Sequence, residues 1–85
     1  MKCTEENLKK YVVSNLYSAV EHEFRGVDYK CEIERQVKGL ENLCESLGFY
    51  ELEVICKMVG SLICNDSFDE ARGVARTLKK AAGLV

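Results

Sequence analysis

Proline is absent from these 85 residues, so no position forces a helix to kink or stop for want of a backbone N–H. An excess of one charge is missing too. Twelve basic residues stand against 14 acidic ones for a net charge of −2, and no segment concentrates the positive charge that a nucleic-acid backbone demands. No CxxC pair occurs among Cys3, Cys31, Cys44, Cys56 and Cys64. The common zinc patterns are therefore excluded, and an odd number of thiols does not read as a disulfide framework. The longest apolar-rich stretch, 52–64, is interrupted by Glu53, Lys57 and Ser61 and is too short to cross a bilayer. Glycine-rich phosphate loops and calcium loops are also lacking. No cofactor, no metal and no membrane are expected, and nucleic acid is a poor candidate partner.

The first residues show no charged leader followed by an apolar run, so the expectation is a cytoplasmic chain in a reducing compartment. Buried thiols then serve as small hydrophobes. Cys44 and Cys56 fall at packing positions, whereas Cys3 and Cys31 read as more exposed.

What the sequence does have is helical periodicity. Hydrophobic residues make up 47% of the chain and recur at three and four throughout, which predicts an all-α fold in a single domain spanning 1–85. Thr4 is placed to cap a first helix of about twenty residues, striped by Leu8, Val12, Leu16, Val20 and Phe24 and ended by Gly26. Asp28 is placed to cap a second that runs to Leu47, with Gly48 as its left-handed terminator. Its seam, Tyr29, Ile33, Val37, Leu40, Cys44 and Leu47, is narrow. Arg35, Lys38, Asn42, Glu45 and Ser46 face away from it, and Glu32, Glu34 and Glu41 read as part of or beside that polar face. A third helix over 49–64 is apolar around most of its circumference and needs neighbours on several sides. The fourth starts at Ser67-Phe68-Asp69-Glu70, where Ser67 and Glu70 have the spacing of a capping box, and runs to Gly83. Short links between helices make the expected architecture a compact antiparallel bundle of four. Gly39, Gly60 and Gly73 sit inside helices at a cost of about 1 kcal/mol each against alanine, and close helix approach, within the chain or across a subunit boundary, is the expected compensation at Gly60 and Gly73.

The only histidine lies in His22-Glu23-Phe24-Arg25-Gly26. These five residues resemble the core of histidine phosphotransfer domains, in which a histidine, any residue, an apolar residue, a basic residue and a glycine follow one another. The resemblance implies that His22 accepts a phosphoryl group from a receiver aspartate, that Arg25 balances the phosphate and that Gly26 leaves room for docking. The family's glycine is inside a helix, whereas Gly26-Val27-Asp28 reads as a stop and restart. Arg35 to Gly39 repeats the ending of the motif with arginine at the acceptor position.

Two other groups of residues invite a ligand. Val54 and Met58 flank the apolar side of the third helix, where a bundle this small leaves surface uncovered. Arg72, Arg76 and Lys80 step by four along the last helix, with Lys79 beside them, as an anion or RNA stripe or as a solvated face. The expected function is that of a small regulatory protein-binding module, an adaptor, modulator or inhibitor without catalysis of its own. It is expected to self-associate, most simply as a homodimer. A relay through His22 is the alternative, and anion or RNA binding along the basic row is the third reading.

Overall fold

A computed structural model describes residues 4–21 and 29–83 and folds them into four helices: α1 (Glu5–Glu21), α2 (Tyr29–Leu47), α3 (Tyr50–Cys64) and α4 (Phe68–Ala81). No strand occurs among the described residues. The fold is the expected all-α bundle. Neighbours in sequence are neighbours in space, and α1 closes the ring by packing on α4. The most extensive interface joins α2 to α3, and α1 also touches α3 across the centre.

The core follows the predicted stripes with one shift at each edge. On α1, Val12, Val13, Leu16, Ala19 and Val20 are buried, while Leu8 and Tyr17 pack partly against them. On α2 the seam is buried through Ile33, Val37, Leu40 and Cys44. Leu47 departs from it, being 37% exposed, because the helix ends there and the chain turns away. Glu41 departs the other way. The polar-face expectation placed it in solvent, yet it is buried with Lys38 Nζ 2.6 Å from one carboxylate oxygen, an ion pair that keeps the charge compensated. Phe24, Gly26 and Asp28 lie outside the described residues.

Two junctions set the direction of the second half of the chain, and they are built alike. Gly48 takes a left-handed φ of 75°, Phe49 N donates to Cys44 O at 2.9 Å and Gly48 N to Glu45 O at 3.2 Å. At the next turn Asp66 has a φ of 62°, Ser67 N donates to Leu62 O at 2.8 Å and Asp66 N to Ile63 O at 3.0 Å. Both are the paired six-to-one and five-to-two bonds of a Schellman motif. The residue after each left-handed one then opens the next helix, with φ and ψ of −87° and 75° at Phe49 and −88° and 58° at Ser67.

That double duty overturns the capping box. Ser67 occupies the N-cap of α4 but makes no side-chain cap hydrogen bond. Its N–H is committed to the end of α3, and a ψ of 58° lies far from the extended backbone that points a serine hydroxyl at the next turn's amides. Thr4 behaves as predicted, its Oγ1 accepting from Asn7 N at 3.2 Å.

Candidate binding face

An apolar helix in a four-membered ring has more hydrophobic surface than two neighbours and a core can cover. On α3 the enclosed face is Leu52, Cys56, Val59 and Ile63, with Ile55 and Leu62 partly buried toward its edge. The outward face carries Tyr50, Val54 and Met58, spaced by four and 76%, 62% and 45% exposed. Val54 and Met58 were anticipated from sequence; Tyr50 continues their row and was missed. The missing signal was its i, i+4, i+8 spacing with them.

Met58 also forms one wall of a groove between α3 and α4, whose floor is Ile55, Val74 and Leu78. The α4 rim is made of small residues, Gly73, Thr77 and Ala81, all exposed and again four apart. Nothing lies within 4 Å of where a Cβ on Gly73 would stand, so this glycine serves no close approach within its own chain. Gly60 does border α2, its notional Cβ falling 3.6 Å from Val37 Cγ1. Ile55 and Leu78 belong as well to a second depression, bounded by Phe49, Tyr50 and Glu51 and, on the α1 side, by Glu5 and Lys9, which pair with each other at 3.3 Å. The two depressions therefore share a floor and form one apolar trough along the α3–α4 hairpin.

The trough has a carboxylate toward each end. Glu51 stands in the first turn of α3 and Glu70 in the first turn of α4, and antiparallel packing puts those turns at opposite ends. Both are exposed, and neither is paired with a cation among the described residues. The capping box expected of Ser67 and Glu70 does not form, since Ser67 makes no side-chain cap hydrogen bond.

The basic row is placed differently. Arg72 Nε donates to Val20 O at 3.1 Å, Arg76 holds the Glu21 carboxylate with Nε at 2.5 Å and Nη2 at 3.1 Å, and Lys79 Nζ lies 3.9 Å from the Tyr17 ring centroid. Three members of the row thus fasten α4 to α1. The Arg76 hydrogen bonds hold the Glu21 carboxyl below its ordinary value, against an upward push from burial that is the next largest influence, and the positive charges of Arg76, Arg72 and Lys79 lower it further. Lys80 is exposed and makes no ion pair among the described residues. His22, Arg25 and Gly26, the phosphotransfer-like motif, lie outside the described residues.

A second concavity runs between α2 and α3, past Cys31, Glu34, Lys57 and Cys64. Its charges are largely matched within the chain, Lys38 to Glu41 at 2.6 Å and Lys57 to Glu53 at 3.2 Å. Beneath it Cys44 and Cys56 are buried against each other. Burial pushes both thiols up, Cys56 to about 12, which removes the thiolate that nucleophilic chemistry needs. Among the described residues no group of three or more His, Cys, Asp or Glu side chains is arranged to hold a metal, and no helix is long and apolar enough to cross a membrane.

In comparison with known proteins, no family model, no curated protein and no solved structure matches this chain.

Proposed function

We propose that this chain is a protein-binding module without chemistry of its own, and that its partner covers the outward face of α3 and the trough beside it. The observation that carries this reading is the row Tyr50, Val54 and Met58 standing exposed next to an apolar floor. Water on that surface is costly. At about 25 cal/mol per Å2, covering roughly 400 Å2 of it supplies about 10 kcal/mol before the costs of association.

The charge pattern favours a different chain over the second copy expected from sequence. A two-fold axis lying along the trough sets Glu51 against Glu51 and Glu70 against Glu70 of the other copy. An axis across the trough sets Glu51 against Glu70. Either arrangement brings acidic ends together in a drying interface, where like charges repel most strongly.

The test is comparative capture from the native cell with wild-type protein and with the double variant Val54→Glu, Met58→Glu. Both substituted positions are exposed, so the helical circular dichroism is expected to be unchanged. A partner retained by the wild type and lost by the variant supports the proposal. A partner retained equally by both refutes it.

A further inference from the structure

We propose that the trough between α3 and α4 receives an amphipathic helix of another protein, one that carries a basic residue at each end of its apolar face. The inference rests on the protein-binding reading above and names the chemistry of the partner.

Shape comes first. The floor of Ile55, Val74 and Leu78 runs between two antiparallel helices, which is the seat that a third helix takes when it packs on a hairpin. The walls are unequal. On the α3 side Met58 rises beside the seat, with Val54 exposed one turn before it, while on the α4 side Gly73, Thr77 and Ala81 leave a low rim. A guest helix can settle toward α4 and bring its backbone close to Gly73, where space is open. An interior glycine that weakens α4, with open space where a side chain would stand, gains a purpose in that seat.

Charge then selects the guest. Glu51 and Glu70 mark the two ends of the trough; Lys9, which also lines the Glu51 end, is matched by Glu5 at 3.3 Å and leaves Glu51 without a cation among the described residues. Counting back from the α3–α4 turn, Glu70 is level with the last turn of α3, about ten or eleven residues beyond Glu51. At 1.5 Å per residue that separation is about 15 Å, or three helical turns. Eleven positions bring a helix back to the same face within about 20°. A guest with lysine or arginine roughly eleven apart, and apolar residues at helical spacing between them, therefore meets both carboxylates while its apolar stripe lies on the floor. An anionic membrane surface or a nucleic acid would be repelled by the same two groups.

The experiment uses the full chain and two synthetic helical peptides of about eighteen residues. Both carry leucines along one face; one bears a lysine at each end of that face about eleven positions apart, the other glutamates at the same places. Binding is followed by fluorescence anisotropy, and the site is located by amide chemical-shift changes in the isotope-labelled protein. The lysine peptide is expected to bind at least tenfold more tightly than the glutamate peptide, with shifts centred on Ile55, Gly73, Thr77 and Leu78. In the variant Glu51→Lys, Glu70→Lys, whose substitutions are at exposed positions, the preference is expected to invert.

Equal binding of both peptides in the trough would overturn the charge selection while leaving the protein-binding reading standing. Binding elsewhere, or a preference that survives the double charge reversal, would also overturn it. Failure of both peptides together with a sedimentation mass of twice 9.6 kDa would assign the trough to a second copy. Failure of both with a monomeric protein would remove this inference, and the capture experiment above then decides the broader reading separately.

Discussion

Arg76 grips Glu21 with two nitrogens, Nε on one carboxylate oxygen and Nη2 on the other, and so ties the last helix to the end of the first helix as described. The two residues are 55 apart in sequence. Arg76 remains 61% exposed at its side chain, which limits the worth of the pair to the range of good surface bridges. Glu21→Gln is expected to cost about 0.5–1 kcal/mol in urea unfolding at neutral pH. The folded-state pKa of Glu21 is lowered from an ordinary value near 4.5. Its contribution is therefore complete above that unfolded value and is lost as pH falls through the lower folded one. Unfolding of wild type and Glu21→Gln at pH 7 and at pH 3 checks this: the difference between them should shrink in acid. A difference that grows would assign the stabilisation to something other than the ionised pair.

The two threonine and serine caps read from sequence should separate cleanly. Thr4→Ala removes a hydrogen bond that is present and is expected to cost about 0.5–2 kcal/mol. Ser67→Ala removes none and is expected to fall within about 0.5 kcal/mol of wild type. Equal losses at both positions, measured by thermal or urea unfolding, would mean that the hydroxyl of Ser67 caps α4 after all.

Most of the fold was legible because it rests on local rules. Val12 and Leu16, Ile33 and Val37, and Ala71 and Ala75 announce their burial by spacing alone, and Gly48 announces its left-handed turn. What was not legible depends on how one helix meets another. Nothing within α4 says that Arg72 and Arg76 face α1, so their row read as a possible docking stripe. Nothing within α2 says that Glu41 is covered by its neighbour. Ser67 misled for a related reason: its hydroxyl chemistry favours a cap, but the backbone of the preceding turn had already fixed its ψ. The candidate site was half visible, in Val54 and Met58. Its other half, Glu51, Glu70 and the small rim of α4, becomes a site only when two helices lie side by side.

Thiol reactivity should sort by burial. Cys31 and Cys64 are exposed, whereas Cys44 and Cys56 are buried, and burial holds the Cys56 thiol near 12. Labelling of the folded protein at pH 8 is expected to modify Cys31 and Cys64 fully before Cys44 or Cys56 reacts, since the latter two wait for opening of the α2–α3 interface. Mass spectrometry of timed samples checks the order. Reaction of Cys56 as fast as Cys64 would show that this interface is open in solution.

A module without chemistry of its own leaves His22 unmodified. Incubation with a panel of phosphorylated receiver domains is expected to transfer no acid-labile, base-stable phosphate to it, and His22→Gln is expected to leave partner binding unchanged. Transfer at that position would replace the binding reading with a phosphotransfer relay.

The most direct measurement is photo-crosslinking in the native cell from two positions, one in the trough and one on the polar face of α2. Thr77 and Glu45 are both exposed and each is replaced in turn by a photoreactive phenylalanine analogue. A discrete adduct is expected from position 77, heavier than the chain by the mass of another protein, and none from position 45. Val54→Glu with Met58→Glu is expected to abolish the adduct. No adduct from position 77, or the same adducts from both positions, would contradict the claim that a protein partner covers the α3–α4 face.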